Sequence, residues 1–197
     1  MVFTKPTSCW ESLYDVCFVD ENNGTAVGGF GTIIRTTDGG KNWIKQSSGL
    51  TGGTFWGVHF IDANNGWIVG QPGIILKTTD GGNSWSSLLM DSYSLNEVYF
   101  IDAKNGTTVG YRNLNSTTTE GVILRTTDGG KSWIKQSYGT TDQLLGVCFT
   151  DSNNGIAVGI VLTNQSYSGI ILRTTNGEND WNIHLCFYFE INLELQP

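Results

Sequence analysis

The chain has 197 residues, of which 39% are hydrophobic and 15% charged, which is typical of a folded domain rather than a disordered chain. The formal net charge of −7 excludes nucleic acid as a favoured partner, because an acidic surface repels phosphate backbones. No run of residues approaches the roughly 20 apolar positions that a membrane-spanning helix needs, so we expect no membrane insertion.

The first predicted strands set a pattern that recurs along the chain. We predict strands over Leu13–Val19, Thr25–Gly28 and Thr32–Thr36, and a fourth that starts near Trp43. An Asn-Gly turn joins the first two strands, which favours a hairpin, and nothing shows a helical period. The same order occurs four times, giving repeats at about 12–51, 52–94, 95–143 and 144–184.

Each repeat carries a Thr-Thr-Asp-Gly-Gly turn followed by Trp, and the fourth copy is altered to Thr-Thr-Asn-Gly-Glu. The Trp residues are 42, 48 and 48 positions apart, a period that suits four-stranded propeller blades. We therefore predict an all-β, single-domain β-propeller of four-stranded antiparallel blades. Four blades either close as a small ring or form an arc of a larger ring of six to eight blades.

The turn residues are interpreted as structural. A side-chain oxygen of Asp can accept bonds from nearby backbone N–H groups, and Gly supplies positive φ. An acid repeated in every blade cannot be a single catalytic centre, so no catalytic residue is predicted. The structural set is Thr36, Asp38, Gly40, Trp43, Thr78, Asp80, Gly82, Trp85, Thr126, Asp128, Gly130, Trp133, Thr174, Asn176 and Trp181.

Two groups of residues are candidates for binding. A basic residue precedes each turn, and these four residues form a basic row. The row either contacts an acidic or membrane-protein partner, or its members cap or pair locally with an acid of a neighbouring blade. The third and fourth repeats also lengthen the connection between their second and third strands, which predicts either a binding rim or a longer hairpin. The binding candidates are Arg35, Lys77, Arg125, Arg173, Tyr111, Arg112 and Tyr167.

No metal or cofactor site is predicted. The turn that begins at Asp20, with its copies at Asp62, Asp102 and Asp151, has too few carboxylates for calcium and is explained by a hairpin. The histidines have no clustered ligands, and the spacing of the four cysteines matches no zinc pattern.

The two ends of the chain depart from the repeat. Phe3-Thr4-Lys5 aligns with Trp43-Ile44-Lys45, so residues 1–8 are predicted to be the leftover outer strand of a preceding blade. Residues 185–197 form an off-pattern tail with alternating apolar positions, which indicates an edge strand or foreign sequence. We expect the chain to be a fragment, and the first ten residues lack a secretory signal.

The turn T-x-D-G-G-x-x-W resembles the Asp box of bacterial neuraminidase repeats. The fuller unit resembles the photosystem II assembly and stability factor family of seven-bladed propellers. This resemblance implies a non-catalytic assembly scaffold outside the cytoplasm (secreted, periplasmic or lumenal), with a protein or membrane-protein complex as partner and self-association as a way to complete the ring. The alternative is a fragment of an Asp-box glycoside hydrolase, sialidase-like or glucanase-like, for which no pair of opposed carboxylates can be nominated.

Overall fold

A computed structural model describes residues 11–90, 92–115, 118–136, 143–163, 166–177 and 180–188, with the backbone alone for 162–163, 166–167 and 185–188. The predicted leftover strand at 1–8 and residues 189–197 of the predicted tail lie outside the described residues. The described strands form four sheets of four strands each.

The sheets follow the order of the predicted repeats, and we call them blades 1 to 4; blade 3 begins at Tyr93 and blade 4 at Gln143, just before the predicted starts at about 95 and 144. Blade 1 contains β1 (Leu13–Phe18), β2 (Gly24–Gly28), β3 (Ile33–Thr36) and β4 (Ile44–Gln46), with a short 3₁₀ turn at Gly29–Gly31. Blade 2 contains β5 (Thr54–Phe60), β6 (Gly66–Gln71), β7 (Ile74–Thr78) and β8 (Ser86–Leu89). Blade 3 contains β9 (Tyr93–Phe100), β10 (Gly106–Asn113), β11 (Thr119–Thr126) and β12 (Ile134–Gln136). Blade 4 contains β13 (Gln143–Phe149), β14 (Gly155–Thr163), β15 (Ser166–Thr174) and β16 (Asn182–Tyr188).

Every blade is an antiparallel meander, in which each strand pairs with the next one along the chain. The first strands of consecutive blades contact one another, β1 with β5, β5 with β9 and β9 with β13, so they form the inner row of the arc. The last strand of each blade is the outer edge. This arrangement confirms the predicted all-β fold of four-stranded propeller blades.

A β-bulge recurs where the first two strands of each blade pair, and it explains the Val-Gly motif. In blade 2 the register shifts between Phe55 and Gly57, opposite Gly70. A Cβ added to Gly70 would lie 2.1 Å from the carbonyl oxygen of Thr54, a distance that no side chain tolerates. The corresponding glycines of the other blades face the same collision at 2.0–2.2 Å, so the motif marks a close backbone approach.

Among the described residues the hydrophobic core is divided into three clusters, and each cluster lies between two consecutive blades. Val27 and Ile33 of blade 1 pack with Val58 and Phe60 of blade 2. The second cluster joins blades 2 and 3 in the same way, and the third joins blades 3 and 4. The blades are therefore held to their neighbours by burial of one face against the next.

The lengthened connections of blades 3 and 4 are hairpins rather than loops. Strand β10 pairs with β11 continuously from Gly106 to Asn113, and β14 pairs with β15 from Gly155 to Thr163. The extra residues thus extend the ladder between the second and third strands. Strand β16 pairs with β15 as far as Tyr188, which places residues 185–188 in blade 4 and moves its boundary four residues beyond the predicted one.

Replacing Gly70 by Ala is expected to lower the free energy of unfolding by about 1–3 kcal/mol, because the added methyl group collides with a backbone carbonyl. Gly169→Ala is the matched control, since nothing lies within 4 Å of a Cβ built at that strand position. Urea denaturation followed by circular dichroism measures both variants. Equal losses in the two proteins would show that the close approach of the Thr54 carbonyl does not account for the requirement for glycine at position 70.

Candidate functional site

The Asp-box turn after the third strand of each blade is closed by its own side chains. In blade 1 the hydroxyl of Thr36 donates to Asp38 Oδ1 at 2.8 Å and accepts from the N–H of Gly40 at 2.9 Å. Asp38 Oδ1 accepts from the backbone N–H of Asn42 at 2.9 Å, and its Oδ2 accepts from the side-chain amide of Asn42 at 2.7 Å. Both oxygens of the carboxylate therefore accept hydrogen bonds within the turn that they close.

These hydrogen bonds hold the pKa of the box carboxyls below their usual range. The backbone N–H and the side-chain amide of Asn42 lower the pKa of Asp38 to about 2. The side-chain hydroxyl and the N–H of Ser84 lower the pKa of Asp80 to about 2, and Ser132 acts on Asp128 in the same direction. These carboxyl groups stay ionised at every ordinary pH, so they act as hydrogen-bond acceptors and have no proton to donate.

The altered fourth box keeps the same turn. The hydroxyl of Thr174 donates to Asn176 Oδ1 at 3.0 Å, and the amide of Asn176 donates to Asp180 Oδ2 at 2.8 Å. Gly177 has a φ of 65°, as the corresponding glycines of the other boxes have positive φ. An amide oxygen thus replaces the carboxylate oxygen, and the box survives the loss of its charge.

The box Trp of each blade packs edge-on against the Phe that ends the first strand. The pairs Phe18–Trp43, Phe60–Trp85, Phe100–Trp133 and Phe149–Trp181 have ring centroids 5.8–6.1 Å apart and interplanar angles of 88–90°. Edge-to-face geometry is the favoured arrangement of two aromatic rings. The glycine at the start of the second strand lies flat against the same Phe ring, since a Cβ there would come within 2.4–2.5 Å of it.

Two rims follow from the topology of the meander. The turn between the first two strands and the Asp box share one rim, because Gly39 donates its N–H to the carbonyl of Asn22 at 3.0 Å. We call this side the box rim. The hairpins between second and third strands lie at the other end of the strands, which we call the hairpin rim. The predicted binding residues are therefore divided, with the basic row near the box rim and Tyr111, Arg112 and Tyr167 near the hairpin rim.

The basic row joins neighbouring blades. The guanidinium of Arg35 lies 5.7 Å from the ring centroid of Phe60 in blade 2 and donates to the carbonyl of Ala63 at 2.7 Å. Arg125 lies 5.8 Å from the ring of Phe149 in blade 4 and donates to the carbonyl of Ser152 at 3.1 Å.

Lys77 keeps the same strand position in blade 2 but contacts an aromatic ring of its own blade. Its ammonium lies 5.5 Å from the ring of Trp67, which stacks on Phe100 of blade 3. In the next blade, Arg35 and Arg125 each donate to a backbone carbonyl of the first turn. Arg173 holds the same strand position in blade 4 and is exposed.

Of the candidates at the hairpin rim, Arg112 forms a local ion pair. Arg112 Nε donates to Glu120 Oε2 at 2.5 Å, and the ammonium of Lys135 donates to Glu120 Oε1 at 2.6 Å. The guanidinium of Arg112 also lies 6.0 Å from the ring of Tyr93. Tyr111 is half-buried in the same hairpin, and Tyr167 lies in β15 with its side chain outside the described part.

A groove that sequence reasoning missed lies between blades 1 and 2 at the box rim. It has a volume of about 570 Å³ and is lined by residues of both blades, among them Arg35, Ile44, Gln46, Asn64 and Asn83. The amide of Gln46 donates to the carbonyl of Gly81 at 3.1 Å, while its Oε1 is buried and has no hydrogen-bond partner among the described residues. The groove runs along β4, an outer strand whose free edge can accept further hydrogen bonds. No sequence signal indicates it, because its lining comes from two blades whose approach depends on packing.

The inner strands carry one further group of polar residues. Burial raises the pKa of Glu97 to about 7, and the negative charge of Asp15 adds to the shift. Asp15 itself accepts from the N–H of Val58 in blade 2 at 2.7 Å. At the next inner position His59 bonds to the carbonyl of Phe100 at 3.0 Å, and Cys17 is a free thiol beside Phe60. His59 and Cys17 thus each contact the next blade along the chain.

The described residues contain neither a metal-ligand cluster nor a membrane-spanning helix. In the ranges given above, no three His, Cys, Asp or Glu side chains gather where they could hold a metal ion. Across the same residues, no helix has the length and apolar character needed to cross a membrane.

Comparison with known proteins decides the family. The family described as Photosynthesis system II assembly factor YCF48 matches residues 6–184 of this chain. The chain belongs to this family. Membership in the YCF48 family confirms the predicted resemblance and, at the level of the family, the prediction of an assembly scaffold. A comparison with curated proteins gave no significant match.

Solved structures share the fold. A structure described as YCF48 bound to D1 peptide is 21% identical, covers 88% of this chain and 80% of its own, and has a TM-score of 0.55. YCF48 from Cyanidioschyzon merolae is 22% identical over 90% of this chain, with a TM-score of 0.66, and this chain spans 57% of its length. An ancestral GH74 enzyme is 17% identical with a TM-score of 0.65, and the match covers 86% of this chain and 23% of the enzyme. At these identities the structures establish the propeller fold.

Arg35→Met is expected to lower the free energy of unfolding by about 1–2 kcal/mol. The carbonyl of Ala63 loses a charged hydrogen-bond donor, and the ring of Phe60 loses its cation–π contact. Arg173→Met is the matched control, with the same residue type at the same strand position but exposed. Both are compared by urea denaturation at a protein concentration low enough to keep single chains. A loss in Arg173→Met equal to that in Arg35→Met would refute the inter-blade role.

Glu97→Gln is expected to stabilise the protein at pH 8 by about 1–3 kcal/mol and to leave it nearly unchanged at pH 4.5. The pKa of Glu97 is about 7 in the folded protein and 4.5 for a free side chain. Ionisation of Glu97 therefore lowers the free energy of unfolding progressively as the pH rises above 4.5, and the loss is complete above pH 7. Unfolding midpoints across pH 4.5–8 give the measurement. Glu120→Gln is the control, because Lys135 and Arg112 lower the pKa of Glu120 and keep it charged throughout.

Proposed function

We propose that this chain is a non-catalytic binding scaffold that receives an extended segment of a partner protein in the groove between blades 1 and 2. The groove carries the proposal, because it offers a half-buried cation, several side-chain amides and the edge of β4 in one place. An extended segment can add backbone hydrogen bonds to such an edge while its side chains meet the groove.

The family supports a protein ligand. Its description is that of an assembly factor, and one solved relative is described as bound to D1 peptide. The buried Oε1 of Gln46 has no hydrogen-bond partner among the described residues and supplies an acceptor for a donor of the bound segment. We extend the proposal to a membrane-protein complex as the source of the segment and to a location outside the cytoplasm, on the ground of family membership.

The binding site is tested with a D1 peptide as probe, using fluorescence anisotropy. Ile44→Glu places a charge in the groove at a side chain that is 70% exposed, so we expect at least about a tenfold rise in Kd with no loss of fold. Ile134→Glu is the matched control, since Ile134 holds the same strand position in blade 3 and is 66% exposed. Equal Kd values for the two variants would place the site elsewhere, and Arg112→Ala then tests the hairpin rim.

The non-enzymatic part of the proposal has its own test. Glu97 and Asp15 are the two acids of the inner strands whose charges interact, so they are the pair to examine in a hydrolase hypothesis. We expect no turnover of aryl glycosides by the purified chain. Turnover that disappears in Glu97→Gln would favour the glycoside hydrolase alternative over the scaffold.

Self-association through the ends of the arc is the last part of the proposal. Among the described residues, blades 1 and 4 each share a core cluster with one other blade. Completing the ring with a second copy would give both blades a second neighbour.

A further inference from the structure

The chain contains five Asn-Gly sequences, and this dipeptide is prone to lose its side-chain amide because glycine leaves its backbone nitrogen unhindered for attack on the Asn side chain. One sequence lies in the altered Asp box of blade 4, at Asn176-Gly177. The other four each end the turn between the first two strands of a blade, at Asn23-Gly24, Asn65-Gly66, Asn105-Gly106 and Asn154-Gly155. The two settings differ in how firmly the glycine is held.

The four glycines that end the first turns are held inside a sheet. In blade 2, Gly66 pairs with Phe60 of β5 on one side and with Thr78 of β7 on the other, and the other three blades have the same double pairing. The side-chain amide is held as well, since Asn65 donates to Asp62 Oδ2 at 2.8 Å. Attack on the Asn side chain requires rotation of the peptide between the two residues, which would break the ladder on both sides of the glycine.

The glycine of the altered box has no such restraint. Gly177 follows the end of β15 at Thr174 and has a φ of 65°. Its N–H donates to the hydroxyl of Thr174 at 3.2 Å, and Asn176 is exposed. The peptide between Asn176 and Gly177 can therefore rotate without separating two strands.

The altered box also exchanges the donor and the acceptor of the bond that closes the turn. In blade 2 the hydroxyl of Ser84 donates to Asp80 Oδ2 at 2.5 Å. In blade 4 the amide of Asn176 donates to Asp180 Oδ2 at 2.8 Å. A carboxylate in place of this amide would face the carboxylate of Asp180 at hydrogen-bond distance, and two like charges at that distance repel.

We propose that Asn176 is a deamidation site whose reaction weakens blade 4 as the protein ages. The backbone nitrogen of Gly177 gives up its proton and attacks the side-chain carbonyl carbon of Asn176. The new C–N bond closes a succinimide ring, the bond from that carbon to the amide nitrogen breaks, and ammonia leaves with the proton. Water then opens the ring to aspartate or isoaspartate, so one water is consumed for each ammonia released.

The consequence reaches the core through the neighbouring residue. Trp181 follows Asp180 directly, is 5% exposed and packs edge-on against Phe149 in the cluster between blades 3 and 4. Repulsion at Asp180 therefore loosens the turn that places this ring. The inference is independent of the partner segment, which is proposed to bind between blades 1 and 2.

Peptide mapping by mass spectrometry tests the site in the full folded chain, kept at mildly alkaline pH and body temperature. We expect Asn176 to lose its amide at least about tenfold faster than any of the four first-turn asparagines. In concentrated urea the five rates are expected to be similar, because the fold no longer distinguishes them. Equal rates in the folded chain, or a first-turn asparagine that reacts fastest, would overturn the site. An equal advantage of Asn176 in urea would overturn the structural cause.

Two variants test the consequence without waiting for the reaction. Asn176→Asp reproduces one product and is expected to lower the thermal unfolding midpoint by about 2–4 °C. Adding Asp180→Ser removes the opposing charge and supplies the Asp and Ser pair that closes the box of blade 2, so the midpoint is expected to return. An unchanged midpoint in Asn176→Asp, or a loss that Asp180→Ser does not reverse, would overturn repulsion at Asp180 as the cause of weakening.

Discussion

The edge-to-face contact between a Phe and a Trp is the interaction on which each blade depends. The Phe ends the inner strand, and the Trp follows the Asp box at the start of the outer strand, so the contact joins the two ends of the sheet. The glycine beneath the Phe ring cannot be replaced by a larger residue without moving the ring. The box itself saturates its Asp with hydrogen bonds and thereby fixes where the Trp stands. The conspicuous acid of the motif is a structural residue for this reason.

The same Phe also joins one blade to the next. Its free face receives the guanidinium of the preceding blade in two of the three contacts and the Trp67 ring in the third. Packing within a blade and packing between blades thus meet at one ring. In the sequence, the basic residue before each box looks like a surface feature. In the structure, Arg35 and Arg125 are part of the contact that joins consecutive blades.

The repeat made the fold predictable, because four copies of a turn and four spaced Trp residues leave little choice of architecture. Strand bounds were right to within one or two residues in blade 1. The groove beside Ile44 could not be predicted, since it forms from residues of two blades about 40 positions apart, whose approach depends on blade packing. The raised pKa of Glu97 escaped prediction for the same reason, because burial and the nearness of Asp15 are properties of the assembled inner row.

The division of the core into three separate clusters makes the chain a one-dimensional series of nearest-neighbour couplings. Removing an end blade breaks one coupling, whereas disrupting an internal blade breaks two. Loss of an end repeat of 42 or 48 residues therefore removes one coupling and leaves the other cores as they were. The number of blades can change at the ends of such a series during evolution without the redesign of any remaining interior.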